Sequence, residues 1–199
     1  MTSGTMWHGR INSSRAKFGL FAGVLALCGG CVTQPAPIYQ VSIANQMALM
    51  KISPAAHYQV VRGAEPADIQ TQIRSLSVAA PADGSWATYL KEALRIELTS
   101  AGFYSPDASA VVTVSLSDVH VLDGHADLAG RFVVSAGQKI VYDKVLRAQT
   151  QWDPQFIGVL AAQDGMIQAT AIFQRLLHQL FADPEFVMVS QQLAVAQQR

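Results

Sequence analysis

Apolar and polar positions along the chain change between helical and strand spacing, and the clearest helical stretch covers residues 86–101. Its apolar residues recur every three or four positions, which predicts a helix with one buried face. These residues are Trp86, Leu90, Ala93, Leu94, Leu98 and Ala101. Asp83 or Ser85 can cap the first turn, and Gly102 can take the left-handed conformation that ends a helix.

Three later segments alternate between apolar and polar residues, as strands with one buried face do. They are Ala110–Leu122, Leu128–Ala136 and Ile140–Trp152, and short glycine-containing turns separate them. This order predicts an antiparallel meander covered on one face. Within the first segment the apolar face switches after Ser117-Asp118, which predicts a β-bulge.

The remaining pattern adds a second helix and less regular segments. Helical spacing recurs over Gly165–Ala182, with Asp164 as the predicted cap, and Ile73–Ala79 alternates like a strand. Ile38–Gly63 is predicted to hold two short strands or extended segments. Phe186–Arg199 fits a short helix or a frayed tail.

These elements predict an α+β fold, in which two helices pack on one face of an antiparallel sheet of four or more strands. We expect a single α+β domain over residues 38–186, followed by a C-terminal tail at 187–199.

The N-terminal stretch has the organisation of a secretory signal. Arg10, Arg15 and Lys17 precede the apolar run Phe18–Leu27, and small residues follow it. As a helix the run would be about 15 Å long. That is half of the roughly 30 Å hydrocarbon core, so the run is too short for a comfortable span.

The end of this stretch, Gly29-Gly30-Cys31, resembles the lipobox of bacterial lipoprotein signals, although Cys28 stands where leucine is commonest. The resemblance implies a signal peptide at 1–30 and acylation of Cys31, with palmitate among the attached fatty acids. Val32 is not aspartate, so it further implies the outer membrane, with the protein facing the periplasm. Residues 31–37, with two prolines, are predicted to be a tether, or else an extended arm lying on the domain.

Composition excludes several classes of function. From Cys31 onward the chain carries 11 basic and 14 acidic residues, a net charge of −3, which argues against a nucleic-acid partner. No cysteine follows Cys31, so neither a disulfide partner nor a thiolate metal site is expected in the domain.

Reactive side chains give no clear site. The nearest polar group is Asp118, His120, Asp123, His125 and Asp127, which we interpret as a solvated strand end and turn rather than a metal or proton-transfer site. Ser115, Ser117 and Ser135 lie on predicted strands without a nucleophile elbow. His178 is expected beside the buried helix stripe rather than as a ligand. We therefore predict no catalytic residue, no cofactor and no metal.

The other charged and aromatic residues singled out are also expected to stabilise the fold rather than to bind a ligand. Asp143, Lys144 and Arg147 are expected to form cross-strand pairs. A further set could line a ligand pocket, although core packing is favoured: Trp86, Tyr89, Phe103, Tyr142 and Trp152.

The predicted architecture resembles small envelope lipoproteins: the lipopolysaccharide-assembly, transport-auxiliary and related uncharacterised families. The resemblance rests on Cys31, Ser85-Trp86-Ala87-x-x-Leu90, Gly102-Phe103 and Arg131-Phe132-Val133-Val134. It implies a non-enzymatic accessory or scaffold that binds another envelope component. The alternative, suggested by the aromatic residues and by Met47, Met50 and Met166, is a carrier of a lipid or other apolar molecule between helices and sheet.

Overall fold

The meander forms three neighbouring strands of a sheet that two helices cover on one face. The structure is a computed structural model that describes residues 32–198 except 54, 55, 82 and 155, all of them in one compact unit. The predicted signal peptide and Cys31 lie outside the described residues. The described helices are α1 (Ile43–Leu49), α2 (Trp86–Ser100), α3 (Gly158–Ala182) and α4 (Pro184–Gln197). The strands are β1 (Val32–Pro35), β2 (Tyr58–Arg62), β3 (Ile69–Gln70), β4 (Gln72–Ile73), β5 (Leu76–Ala79), β6 (Ala110–Leu122), β7 (His125–Ala136) and β8 (Lys139–Gln151).

The three predicted meander strands are confirmed, but the sheet is mixed rather than purely antiparallel. β6, β7 and β8 pair antiparallel, and the register shifts at Leu116/Asp118, where the sequence predicts a bulge. β2 and β3 both join β6 in parallel. The parallel pairing of β2 follows from α2, because a helical crossover between two neighbouring strands brings the chain back in the same direction.

The core lies between the sheet and the helices α2 and α3. Phe173 of α3 stacks on Trp86 of α2, with ring centroids 5.5 Å apart, and both side chains are buried. Tyr58 of β2 stacks on Phe186 of α4 at 5.9 Å. Aromatic rings therefore fill part of the layer between helices and sheet, where the carrier alternative placed its ligand.

Local hydrogen bonds explain the bounds of α2. Ser85 accepts a hydrogen bond from the Thr88 amide at 3.1 Å, which confirms one of the two predicted caps. The Glu65 carboxylate adds bonds from the amides of Trp86 and Ala87. At the other end Gly102 has a φ of 78°, as expected for the left-handed residue that terminates a helix.

The prediction of two helices was wrong, because the described residues form four. α1 lies within the stretch predicted to be extended. α4 is the short helix that was one alternative for the C-terminal residues. Asp183 ends α3 and also caps α4, where it accepts from the amides of Glu185 and Phe186, and Pro184 occupies the first turn.

The predicted start of the second helix was also wrong. α3 begins at Gly158, so Asp164 lies inside it and not at its cap. Gly165 lies inside this helix and packs directly against the Ile73 side chain, which leaves no space for a larger residue.

A second, three-stranded sheet is formed by segments that the pattern did not resolve. The single strand predicted over Ile73–Ala79 is interrupted by Arg74, whose φ of 55° turns the chain between β4 and β5. β1 pairs in parallel with β5 over Val32–Pro35. Residues 32–35 therefore form the extended arm on the domain, which was the alternative to a free tether.

No helix among the described residues has both the length and the apolar character that a membrane crossing requires.

Candidate functional site

A buried carboxylate holds α1 against the body of the protein. Glu97 lies on α2, is fully buried, and accepts hydrogen bonds from the Tyr39 hydroxyl at 2.6 Å and the Ser42 amide at 2.9 Å. It also accepts from Asn45 Nδ2 at 3.0 Å and from Gln46 Nε2 at 2.5 Å. These four donors satisfy both oxygens of a carboxyl group that the protein shields from water.

Asn45 holds α1 against α3 as well as against α2. Asn45 Nδ2 also donates to the backbone oxygen of Gln174 on α3, at 3.1 Å. Burial raises the pKa of the Tyr39 hydroxyl, and the hydrogen bond to Glu97 and its negative charge raise it further, so this hydroxyl stays a donor. α1 is only seven residues long and is positioned by these tertiary contacts rather than by its own helix propensity.

The outward side of this fixed helix is apolar. Ile43, Met47 and Met50 are 81%, 59% and 78% exposed, and their spacing of i, i+4 and i+7 places them on one face. We call these three residues the α1 stripe. Met50 belongs to it because its amide still bonds to the Gln46 oxygen, so the helical path continues to that residue.

The α1 stripe has the properties of a recognition surface. Short helices are recognised through apolar residues at this spacing, and methionine adapts its shape to different partners. A rigid helix also loses little conformational entropy when it binds.

An apolar cleft lies between α2 and the chain segment that precedes α1. It has a volume of about 300 Å³, and its lining includes Ile38, Pro81, Tyr89 and Ile96. This volume is at the lower end of the range found for small-molecule sites.

The three aspartates of the polar group singled out in the sequence each have a side-chain partner. Asp118 accepts from Arg147 at 3.2 Å, Asp123 from Arg74 at 2.8 Å, and Asp127 from Gln149 at 2.6 Å. Asp118 and His120 share the outer face of β6, as their spacing predicts. Within the described residues no group of three or more histidine, cysteine or carboxylate side chains is arranged to hold a metal ion.

Charged residues on the outer face of the sheet pair across strands. Arg131 of β7 forms a two-pronged contact with Asp143 of β8, and these bonds hold the pKa of that carboxyl below its usual value. Arg147 pairs with Asp118, as the cross-strand interpretation expected. Lys144 is different, because it reaches Asp183 at the start of α4.

The remaining candidates are part of the packing. Trp86, Tyr89 and Tyr142 are buried, and Phe103 and Trp152 are half-buried against the core, which supports the core interpretation. Tyr89 also borders the apolar cleft. His178 lies on α3 in a polar cleft beside α1, and is half-buried.

Glu97 and α1 are the features that the sequence interpretation missed. Glu97 is a charged residue at the border of the α2 stripe. Met47–Met50 lies within Ile38–Gly63, which was predicted to be strands or extended segments, and its apolar residues show no clear period. The spacing of Ile43, Met47 and Met50 is the signal that could have revealed the helix.

No family model matches the chain. No curated protein matches it either. Solved structures with a similar arrangement include a Xanthomonas campestris protein of the family DUF330, with a TM-score of 0.46 and 12% identity over 84% of this chain and 98% of that one. A hypothetical protein from Chlamydia trachomatis has a TM-score of 0.45 and 12% identity over 71% of this chain and 99% of that one. A minor lipoprotein from Acinetobacter baumannii has a TM-score of 0.33 and 17% identity over 61% and 93%. All three TM-scores lie below 0.5, so these similarities assign neither a family nor a function.

Proposed function

We propose that this chain is a lipid-anchored envelope protein that acts as a non-enzymatic accessory or scaffold and binds another envelope protein through the α1 stripe. Its acylated Cys31 holds it at the outer membrane, on the periplasmic side. The observation that carries the proposal is the exposed apolar face of a helix whose opposite face is fixed by a buried carboxylate.

Exposure of this kind has a cost that binding would remove. Three large apolar side chains on one helix face remain in water, although the same helix buries Ala48 and Leu49. Covering a large apolar side chain contributes about 1.5–3 kcal/mol. A contact with another protein would recover that free energy, and a fixed helix would present the same shape to each partner molecule.

The anchor rests on the N-terminal sequence, in which three positive charges, a ten-residue apolar run and Gly30-Cys31 follow one another. Several acyl chains on one cysteine hold a protein firmly at a bilayer. We also propose that the protein has no enzymatic activity. The three aspartates that neighbour His120 and His125 in the sequence are already engaged: Asp118 pairs with Arg147, Asp123 with Arg74, and Asp127 bonds to Gln149.

Transport of an apolar molecule is the second candidate, and the cleft beside α2 favours it. The site would then be the surface cleft at Ile38 and Ile96, and not the aromatic layer between helices and sheet. Mass spectrometry of the purified mature protein, looking for a co-purified lipid, tests this candidate.

Affinity capture from detergent-solubilised envelopes tests the main proposal. The variant Ile43→Gln/Met47→Gln/Met50→Gln removes the α1 stripe and keeps residues that favour a helix. The control Met188→Gln/Val195→Gln removes two exposed apolar side chains from α4. We expect wild type and control to retain the same partner protein and the α1 variant to lose it. Equal recovery by the α1 variant would contradict binding through the α1 stripe, and recovery of the bait alone by wild type would contradict partner binding itself.

The anchor is tested separately with Cys31→Ser. We expect loss of palmitate labelling and release of the protein from the membrane fraction. A variant that is processed and fractionates like wild type would contradict acylation at Cys31.

A further inference from the structure

The start of α3 carries a second exposed apolar cluster. Phe156, Ile157 and Leu160 are exposed, and Phe156 is 98% exposed, more than any other large apolar residue for which the structure gives an exposure. We call these three residues the α3 foot. A cluster of this size at one corner of a protein indicates a surface that meets an apolar partner.

The position of the α3 foot follows from the pairing of the small sheet. Val32 pairs with Leu76, which pairs in turn with Ile73. The next residue, Arg74, donates to the Phe156 carbonyl at 3.1 Å. With strands about 4.8 Å apart, Phe156 lies within roughly 20 Å of the start of β1.

Cys31 immediately precedes β1 in the sequence, so little slack separates the proposed anchor from the folded body. A free tether would let the domain turn in any direction, whereas a residue next to a paired strand cannot move far from it. The acyl chains would therefore enter the bilayer close to the α3 foot.

The local sequence also suits a position at a membrane surface. Residues 156–172 contain one charged side chain, Asp164. The N-cap of α3 is Ile157, which makes no side-chain capping bond. A capping serine or aspartate would favour this helix start in water, and an apolar residue at the N-cap does not.

We propose that the α3 foot inserts into the headgroup and outer acyl region of the bilayer that holds Cys31. This inference rests on the proposed lipid anchor and adds a second membrane contact, which orients the domain. The mode of contact is apolar insertion, because residues 156–172 contain no lysine or arginine, and the neighbouring Arg74 is already paired with Asp123.

Site-specific labelling of the mature, acylated protein tests the proposal. Acylation occupies the Cys31 thiol and no other cysteine follows it, so Phe156→Cys or Leu160→Cys supplies the single free thiol. Each variant receives an environment-sensitive fluorophore and is reconstituted into phosphatidylcholine vesicles with or without a doxyl-labelled phospholipid. The matched control is Ile140→Cys, an exposed apolar residue at the far end of β7 and β8.

We expect the protein to float with the vesicles. We also expect the labels at 156 and 160 to gain fluorescence several-fold and to be quenched by the doxyl lipid, while the label at 140 stays in water. Flotation with unquenched, water-exposed labels at 156 and 160 would overturn the α3 foot and leave the anchor intact. A gain without doxyl quenching would indicate contact with protein and would also overturn it. A protein that fails to float would overturn both proposals.

Discussion

Replacing Glu97 by leucine is expected to detach α1 and to destabilise the whole domain. The Tyr39 hydroxyl and the Ser42 amide lose the acceptor that they contact at 2.6 and 2.9 Å. Asn45 Nδ2 and Gln46 Nε2 each keep one backbone oxygen, of Gln174 and of Glu97 itself. A buried donor without a partner costs about 1–3 kcal/mol. The Tyr39 hydroxyl is such a donor and the Ser42 amide is part-buried, so the two together cost about 3 kcal/mol.

If α1 detaches instead, the loss of folding free energy is of similar size. The donors would then reach water, but Leu49 and Ala48 would lose their burial, at about 3 kcal/mol together. We therefore expect the free energy of unfolding to fall by about 3 kcal/mol. For a domain of this size, a slope of about 2 kcal/mol per molar urea gives a midpoint lower by about 1.5 M.

Urea denaturation measures the global effect, and hydrogen exchange measures the local one. We expect amides of residues 43–50 to lose protection in Glu97→Leu before those of β7 do. Glu97→Gln keeps one acceptor and the side-chain shape, so it should lie between wild type and Glu97→Leu. An unchanged midpoint and unchanged protection of α1 in Glu97→Leu would refute the assigned role.

Three further predictions concern packing, capping and pH. Gly165→Ala should lower the free energy of unfolding by about 1–3 kcal/mol, because the new Cβ would overlap the buried Ile73 side chain. Gln163→Ala, on the exposed side of α3, should have little effect. Equal urea midpoints for the two variants would contradict this packing. Asp183→Ala should cost about 1–2 kcal/mol at neutral pH through loss of the α4 cap, while Asp183→Asn should retain most of it. Burial works against ionisation of Asp183, but Lys144 and the two amides outweigh burial and lower the pKa of this carboxyl. The stability that the ionised Asp183 contributes should therefore be lost as the pH falls below about 4. Identical acid titrations of Asp183→Asn and wild type would contradict this. Burial raises the pKa of Tyr58 to about 12, so this tyrosine ionises in the unfolded chain at a lower pH than in the folded protein. Stability should therefore fall as the pH rises from about 10 to about 12, and less steeply in Tyr58→Phe. Alkaline denaturation followed by circular dichroism measures this, and equal slopes in both proteins would contradict it.

Local patterns predicted the elements whose stability is local or follows from one buried face. β6, β7 and β8 alternate regularly and are joined by glycine turns, so their pairing and the bulge at Asp118 followed from the sequence. α2 has a complete apolar stripe, with Ser85 at one end and Gly102 at the other. These segments need little information from distant parts of the chain.

The elements that the sequence did not predict depend on distant residues. α1 has too few residues to form a stable helix alone, and Glu97, about 50 positions away, fixes it. The turn at Arg74 splits a regular alternation, and the same residue pairs with Asp123. Parallel pairing of β2 with β6 depends on the path of α2. The candidate surface was missed for the same reason, because Ile43, Met47 and Met50 share a face only if this segment is helical.

A photo-crosslinking amino acid at position 47, introduced into the full chain in living cells, tests the central claim most directly. We expect one discrete crosslinked envelope protein from position 47. We also expect this product to disappear when Ile43→Gln and Met50→Gln are added, and the same reagent at position 188 not to yield it. The absence of any product from position 47, or an identical product from both positions, would contradict a partner-binding role for α1.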